Sequence, residues 1–289
     1  MGNDRVLCLT IYKSEAGARL LRERYLEALR AWPGAREEVR VPTPEGETFV
    51  VVAGPAGAPP LVLLHGSGSN AAEWAPRIPA LTGRFRVHAV DIIGEPGLSA
   101  ETRPPLGSDR YARWLDAVLD HFGVPRAAFL TSSFGGWVAL DYATRRPERV
   151  AALALRCPIG LGPMKKGFVV KAVLLSLLGE KGRRKSVAGT IGEPETSPIV
   201  EHQLLVSAHY RYRTGPFPVF GDAALSRLTM PVYAVAGADD AMVDSATTKR
   251  RLEAAGAVVD FMPGTGHYIP GSRDLEFLTD AAANGDFTA

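Results

Sequence analysis

Short apolar runs alternate with helix-like segments along most of the chain, and this alternation constrains the fold more than any other feature. The runs have the length of buried strands and lie at 61–66 (LVLLHG), 86–94 (RVHAVDIIG), 127–133 (AAFLTSS), 149–158 (RVAALALRCP) and 231–237 (PVYAVAG). Segments with helical periodicity lie between or after them, at 71–81, 111–122, 135–145 and 245–255. Because consecutive parallel strands are usually joined by a helical crossover, the alternation predicts an α/β fold with a mostly parallel central sheet and helices on both faces.

Two parts of the chain lie outside this alternation. Residues 1–34 contain an amphipathic helix that begins after Ser14, and we expect this N-terminal extension to pack on the core. The runs VRVPT and TFVVVAG that follow predict an antiparallel hairpin at a sheet edge. The alternation stops again at 159–222, which predicts an inserted, mainly helical lid there and a core formed by 35–158 and 223–289.

Composition excludes several classes of protein. The chain has 289 residues, 46% hydrophobic and 22% charged, which is typical of a globular protein with one large core. Its 33 Lys+Arg and 31 Asp+Glu give a net charge of +2, too balanced for a nucleic-acid-binding surface. The apolar run at 168–178 contains Lys171 and is shorter than the ~20 residues that span a bilayer, so no membrane span is expected. Cys8 and Cys157 lack zinc-site spacing, and without an export signal the expected compartment is the cytoplasm.

Ser133 is the predicted nucleophile. It lies between a predicted strand and a predicted helix, with Thr131 two residues before it and Gly135 two residues after it. This is the spacing of a nucleophile elbow, a turn so tight that small residues are favoured at both flanking positions. Glycine is usual where Thr131 stands, so a slightly more open elbow is expected. Ser132 is the less favoured alternative because it would put bulky residues at both tight positions, and an ordinary helix N-cap is the alternative interpretation of the motif.

The backbone N–H groups of Ser67 and Phe134 are the predicted oxyanion donors. Ser67 follows the run LVLLHG, and Phe134 follows the nucleophile at the start of a helix, where free amides and the helix dipole both favour negative charge. Two such donors would stabilise the charge that develops on a carbonyl oxygen under attack. His65 is expected to brace this loop by hydrogen bonds and has no predicted catalytic role.

Asp240 and His267 are the predicted acid and base. Asp240 follows the strand at 231–237, and Asp239 and Asp244 are the alternatives, interpreted as a turn residue and a helix N-cap. His267 follows the last predicted strand, AVVDFM at 257–262, in a Gly-rich loop, where its ring could project toward the nucleophile. The chain order Ser133, Asp240, His267 is the order of α/β hydrolases.

The sequence resembles bacterial carboxylesterases of the carboxylesterase NP type, within the α/β-hydrolase superfamily. The likeness is carried by WPG at 32–34, APPLVLLHG at 58–66, AVDIIGEPGLS at 89–99, YARWLDAVLD at 111–120, SFGGW at 133–137 and RRPERV at 145–150. The resemblance implies a serine hydrolase that cleaves a small ester with a moderately apolar acyl group through an acyl-enzyme, with no cofactor and no metal. The predicted lid is less similar, so elimination, cyclisation or acyl transfer in secondary metabolism stays open as an alternative.

The predicted lid combines basic and apolar side chains. Its basic residues are interpreted as a solvated rim or, alternatively, as a docking face for a carrier protein or an anionic substrate: Lys165, Lys166, Lys171, Lys181, Arg183, Arg184 and Lys185. An apolar stripe is expected to roof an apolar pocket: Phe168, Val169, Ala172, Val173, Leu175 and Leu178. The candidates for the pocket lining as a whole are His65, Gly66, Trp137, Phe168, Phe217 and Phe220.

Overall fold

One sheet organises the computed structural model, which describes residues 11–165, 167, 168, 174, 175 and 177–285. Its strands are β1 (Arg36–Val41), β2 (Thr48–Ala53), β3 (Pro60–Leu64), β4 (Arg86–Val90), β5 (Ala127–Ser132), β6 (Val150–Arg156), β7 (Val232–Gly237) and β8 (Val258–Met262). Within the described residues these eight strands follow the order β1-β2-β4-β3-β5-β6-β7-β8. The pairs β1/β2 and β2/β4 are antiparallel and the other pairs are parallel, which confirms the predicted edge hairpin and the mostly parallel sheet.

Helices cover both faces of the sheet. They are α1 (Glu15–Arg30), α2 (Ile78–Thr82), α3 (Arg110–His121), α4 (Phe134–Arg145), α5 (Gly179–Ile191), α6 (Pro198–His209), α7 (Asp222–Leu225), α8 (Ser245–Ala254) and α9 (Asp274–Ala283). Buried side chains of α3, α4 and α8 pack on one face, and those of α1, α2 and α9 pack on the other. The predicted arrangement of helices is therefore confirmed.

The segment at 71–81 differs from the single helix that its periodicity predicts. Residues Ala71–Arg77 form a 3₁₀ helix, and only the following residues form the α-helix α2. Pro76 lies inside this segment and lacks the N–H that an α-helical ladder requires at that position. The proline explains why the α-helix starts two residues later.

Helix α1 buries one face against the sheet. The Ser14 side chain caps it by accepting a hydrogen bond from the Gly17 N–H at 3.0 Å. Leu21, Tyr25 and Leu29, spaced one helical turn apart, are buried and form the inward face. The Tyr25 hydroxyl also lies 2.8 Å from a carboxylate oxygen of the buried Asp91 beyond β4, so a polar bond adds to the apolar packing.

The inserted segment, defined as residues 159–222, lies between β6 and β7. Its described part holds α5, α6 and the first residue of α7, and no strand of the sheet. This arrangement supports the proposed division into a core at 35–158 and 223–289 and a lid at 159–222. No described helix has the length and apolarity needed to span a membrane.

Leu178 corrects one expectation about the inserted segment. Its side chain is 68% exposed instead of roofing a pocket. It is the N-cap of α5, and the following Gly179 has a φ of 68°, so the chain turns there and the side chain points outward. Several other residues singled out in the sequence lie outside the described residues: Cys8, Lys166, Val169, Lys171, Ala172 and Val173.

A buried ion cluster ties the C-terminal helix to the core. The Asp274 carboxylate, fully buried at the start of α9, accepts hydrogen bonds from the guanidinium groups of Arg77 and Arg156 and from the Ser272 hydroxyl. Burial alone would raise the pKa of Asp274, but the bonds and charges of Arg77, Ser272 and Arg156 hold it below its usual value. The carboxylate is therefore ionised and paired at neutral pH.

Removing this carboxylate should destabilise the fold strongly. Asp274→Ala leaves two guanidinium groups without their buried partner, and we expect the free energy of unfolding at pH 7 to fall by about 3–5 kcal/mol. Glu253→Ala, which removes an exposed pair with Lys249, is the matched control and should cost about 0.5 kcal/mol or less. Urea denaturation measures both values, and equal losses would contradict the assigned role.

The same cluster predicts a pH dependence. Because the folded-state pKa of Asp274 lies below the unfolded value of about 3.9, its stabilisation is present above that pH. It is lost as the pH falls through the lowered folded-state pKa. The difference in stability between the wild type and Asp274→Ala should therefore shrink on acidification below about pH 4.

Candidate active site

Ser133 occupies a strained turn between β5 and α4. Its φ of 48° and ψ of −107° lie in a region that residues other than glycine rarely adopt. Its N–H donates to the Arg156 carbonyl at 2.9 Å, which anchors the turn to the neighbouring strand β6. A conformation of this kind costs of the order of 1–3 kcal/mol and lifts the side chain out of the strand at the sheet edge.

Two glycines allow this turn to pack closely. A Cβ at Gly135 would overlap the carbonyl oxygen of Leu64 on β3, so only glycine fits there. A Cβ at Gly136 would lie 3.4 Å from the Thr131 Oγ1 atom. The nearest atom to that Cβ would be Pro158 Cβ at 3.2 Å, so the close approach at Gly136 is to the segment that follows β6. Thr131 stands where glycine is usual in such an elbow, and its side chain is fully buried with Oγ1 3.4 Å from the Ala154 carbonyl oxygen.

The predicted acid, base and nucleophile lie together in one hydrogen-bonded chain. His267 Nε2 is 2.8 Å from Ser133 Oγ, and His267 Nδ1 is 2.6 Å from Asp240 Oδ2. The other carboxylate oxygen of Asp240 accepts the N–H groups of Met242 and Val243 at 2.7 and 3.1 Å. Burial would raise the pKa of Asp240, but His267 and these two N–H groups hold it below its usual value.

The alternatives to these residues lie elsewhere. Asp239 is exposed at the turn, and Asp244 caps α8 by accepting the Thr247 N–H at 3.0 Å. Both therefore match their sequence-based interpretations as a turn residue and an N-cap. In the described part of the chain, the Ser132 hydroxyl has no hydrogen bond to His267. The geometry favours Ser133 over Ser132.

The loop after β3 carries the predicted oxyanion donor Ser67. Among the described residues, the N–H groups of Ser67 and Phe134 donate to no protein acceptor, so both are free to bind a ligand oxygen. His65 is fully buried and neutral, since burial lowers its pKa to about 4. Its Nδ1 lies 2.8 Å from the Gly66 carbonyl and its Nε2 accepts the Ile92 N–H at 2.9 Å. These bonds match the predicted bracing role and leave no ring nitrogen for substrate.

Two carboxylates that the sequence interpretation missed hold this loop from both sides. Glu73 accepts the Gly66 N–H at 3.0 Å. Glu95 accepts the Gly68 N–H at 2.7 Å and the Ser67 hydroxyl at 3.2 Å through the same oxygen. Glu95 belongs to the AVDIIGEPGLS run, but glutamate is mostly exposed in proteins, so its residue type gives no signal of a fully buried role.

Aromatic side chains surround the helix that follows the nucleophile. The ring centroids of Phe134 and Phe217 lie 5.6 Å apart, and the centroids of Trp137 and Phe220 are separated by the same distance. The Trp137 indole N–H donates to the Pro218 carbonyl at 2.9 Å, which ties the inserted segment to α4. Phe217 and Phe220 are half-buried, as is Phe168, whereas Trp137 is fully buried. The surroundings of Phe134 are therefore largely aromatic, with the Arg213 guanidinium 5.6 Å from the centroid of its ring.

Cys157, Asp240 and His267 place three potential metal-ligand atoms within 4.8 Å of one another. A metal there would have to replace the hydrogen bond between Asp240 and His267. It would also have to remove the proton of a thiol whose pKa burial raises to about 12. The arrangement therefore fits a proton relay better than a metal site.

The basic residues of the inserted segment divide into engaged and exposed groups. The Lys165 ammonium donates to the Asp240 carbonyl at 2.6 Å, and Arg184 pairs with Glu201. Lys181, Arg183 and Lys185 are exposed. A carrier protein as partner stays a prediction, since nothing in the geometry of these side chains selects a protein over solvent.

Comparison with known proteins places this site in a family. A family model described as alpha/beta hydrolase fold matches residues 59–178. Carboxylesterase YbfK of Bacillus subtilis (strain 168) is 28% identical over 276 residues, 88% of this chain and 89% of that protein. Its crystal structure superposes with a TM-score of 0.78 over 93% of this chain and 98% of its own, at 24% identity.

Two further relatives point the same way. The crystal structure of naproxen esterase (carboxylesterase NP) from Bacillus subtilis has a TM-score of 0.74 at 26% identity and covers 93% of this chain and 95% of its own. The pimeloyl-[acyl-carrier protein] methyl ester esterase of Aliivibrio salmonicida (strain LFI1238) is 30% identical over 204 residues, 63% of this chain and 75% of that protein. The chain therefore belongs to the α/β-hydrolase family, to its carboxylesterase NP-like members, and is a serine esterase.

Proposed function

We propose that the protein hydrolyses small carboxylic esters through an acyl-enzyme formed on Ser133, with His267 as proton carrier and Asp240 as the group that orients it. The observation that carries the proposal is the continuous chain of hydrogen bonds from Asp240 through the His267 ring to the Ser133 hydroxyl. A serine hydroxyl is a weak nucleophile until a positioned base accepts its proton. The 2.8 Å separation of His267 Nε2 and Ser133 Oγ meets that requirement.

The first half of the reaction transfers the acyl group to the enzyme. The His267 Nδ1–H group donates a hydrogen bond to the ionised Asp240, and this tautomer leaves Nε2 without a proton. Nε2 therefore accepts the Ser133 proton as Oγ attacks the carbonyl carbon. The charge that develops on the carbonyl oxygen is stabilised by the N–H groups of Ser67 and Phe134. When the tetrahedral intermediate collapses, the ester C–O bond breaks and the alcohol leaves with the proton from His267.

The second half returns the enzyme to its starting state. A water molecule gives a proton to His267 and attacks the acyl carbon, and Ser133 leaves with that proton as the carboxylic acid is released. Asp240 remains ionised in both halves, because its lowered pKa keeps it charged at neutral pH, and it stabilises the imidazolium each time. No cofactor is needed for either step.

The surroundings of Phe134 support a moderately apolar acyl group as the substrate class. Trp137, Phe217 and Phe220 provide aromatic contact area beside the proposed oxyanion donor. We propose that the inserted segment is the lid that selects the substrate, because two of these rings and the carbonyl partner of the Trp137 indole belong to it. Elimination, cyclisation or acyl transfer by the same residues is the competing outcome in the experiment below.

Substitution of the nucleophile tests the central claim. Ser133→Ala should lower kcat/KM for p-nitrophenyl esters by about 10⁴-fold or more, because no other group can form the acyl-enzyme. Ser132→Ala is the matched control and should remain active and be labelled by a fluorophosphonate. A burst of p-nitrophenol followed by fast turnover indicates hydrolysis, whereas labelling with only slow turnover indicates the non-hydrolytic alternative. An inactive Ser132→Ala with an active Ser133→Ala would reverse the assignment.

The orienting role of the Asp240 carboxylate can be tested by replacing one of its oxygens with an amide nitrogen. Asp240→Asn keeps the size of the side chain but removes the charge and presents an amide to Nδ1, so the ring loses the tautomer that leaves Nε2 free. We expect kcat to fall by about 10⁴-fold. Asp239→Asn, one residue earlier and exposed, should have little effect. Comparable losses of kcat in both variants would show that the loop, and not the Asp240 carboxylate, is responsible.

The role of Glu95 in holding the oxyanion loop gives a further prediction. Glu95→Ala frees the Gly68 N–H and lets the neighbouring Ser67 N–H move, so kcat should fall by about 10²-fold, the usual effect of losing one oxyanion donor. Glu95→Gln retains a carbonyl oxygen for these bonds and should keep most of the activity. Steady-state kinetics of both variants, with thermal unfolding as the folding control, check this. Equal kcat in the alanine variant and the wild type would contradict it.

A further inference from the structure

The residue before His267 lies between two other glycine backbones. A Cβ at Gly237, the last residue of β7, would overlap the carbonyl oxygen of Gly266. A Cβ at Gly192, just after α5, would lie 2.7 Å from the Gly266 Cα atom, and one at Gly266 would lie 2.7 Å from the Gly192 Cα atom. The core strand, the loop of the base and the inserted segment therefore meet backbone to backbone, with no side chain between them.

A hydrogen bond holds the residue that follows His267 in the chain. The N–H of Tyr268, the residue after His267, donates to the Ile191 carbonyl at 2.9 Å. Ile191 is the last residue of α5, where carbonyl groups have no partner within the helix. Gly192 adopts a φ of 84° and donates its own N–H to the Ala188 carbonyl, a left-handed cap that turns the chain away from the helix axis. The end of α5 thus contacts the residues on both sides of His267.

We propose that Gly192 is a positioning residue for His267, through which the inserted segment sets the distance between the base and Ser133. The inference rests on the proposed role of His267. On the core side, the loop is held by the Ala238 and Asp239 N–H groups, which donate to the Met262 and Thr265 carbonyls at 2.9 and 3.0 Å. Gly192 and Ile191 contact the opposite side of this loop, at Gly266 and Tyr268. A side chain at residue 192 would push the loop toward or away from the relay.

Gly179 provides a matched control for the test. Gly179 and Gly192 lie at opposite ends of α5, and both have left-handed backbones, with φ values of 68° and 84°. Alanine is strained to a similar degree at either position. A Cβ at Gly179 meets nothing within 4 Å, whereas one at Gly192 meets Gly266. The two substitutions therefore differ in contact with the base loop and not in backbone strain.

The experiment compares Gly192→Ala with Gly179→Ala in the full chain. We expect kcat for a p-nitrophenyl ester to fall by about 10²-fold in Gly192→Ala with little change in KM, because displacement of a catalytic group by about 1 Å has an effect of that size. Gly179→Ala should retain the wild-type kcat with a similar loss of thermal stability. The far-downfield proton resonance of the His267 Nδ1–H should shift or broaden in Gly192→Ala alone. Equal kcat and an unchanged resonance in the two variants would overturn the inference.

A second pair of variants approaches the contact from the side of the base. Gly266 and Gly271 both lie outside the left-handed region, but only a Cβ at Gly266 meets Gly192. Gly266→Ala should therefore lower kcat while Gly271→Ala does not, and this pair decides the question if Gly192→Ala fails to fold. Because both substitutions disturb one contact, the Gly192→Ala/Gly266→Ala double variant should lose less than the product of the single losses. Fully multiplicative losses would count against a shared contact.

These outcomes separate the two proposals. An active Ser133→Ala variant would remove the proposed function, whatever residue 192 does. An inactive Ser133→Ala together with matching kcat values for Gly192→Ala and Gly179→Ala would remove only the positioning role.

Discussion

The chain of hydrogen bonds from Asp240 through His267 to Ser133 requires three loops to meet at one edge of the sheet. Strands β5, β7 and β8 all run parallel, so Ser133, Asp240 and His267 leave the sheet at the same edge. Neighbouring strands are about 4.8 Å apart, which puts β8 roughly 14 Å from β5. Ser133 directly follows its strand, whereas Asp240 and His267 lie progressively further beyond theirs. The increasing loop length offsets the increasing distance from the nucleophile.

The inserted segment contacts every loop of the candidate active site. The end of α5 meets the loop of His267 at Ile191, and the Lys165 N–H and ammonium donate to the Met242 and Asp240 carbonyls of the acid loop. The Tyr210 hydroxyl lies 2.7 Å from the Glu95 oxygen that holds the oxyanion loop. The N-terminal extension contacts the C-terminal end of α6, where the Lys13 N–H donates to the His209 carbonyl. The arrangement of the site thus depends on segments outside the core.

Local sequence patterns predict the strands and most helices of the core, because each of these depends on its own few neighbours. The same patterns single out Ser133, Asp240 and His267, which the structure brings into one hydrogen-bonded chain. The elbow at Ser133 is an example, since its signal is two small residues at fixed offsets. Glu95 and Gly192 could not be found in this way. Their partners Gly68 and Gly266 are distant in the chain, and no periodicity or spacing connects such pairs before the fold is known. The difference at 71–81 has a local cause, because Pro76 disfavours the α-helical ladder there, whereas hydrophobic periodicity does not distinguish a 3₁₀ helix from an α-helix.

Two buried carboxyl groups near the site differ in which of their oxygens receive hydrogen bonds, and their pKa values are shifted in opposite directions. Both oxygens of Asp240 are bonded, one to His267 and the other to two N–H groups, and its pKa is lowered despite burial. In the described structure Glu95 accepts all its bonds through one oxygen, while the other is buried without a partner, and burial raises its pKa. Asp240 can therefore stabilise an imidazolium at neutral pH. Glu95 contributes the geometry of the oxyanion loop, because its bonded oxygen accepts hydrogen bonds from Gly68, Ser67 and Tyr210.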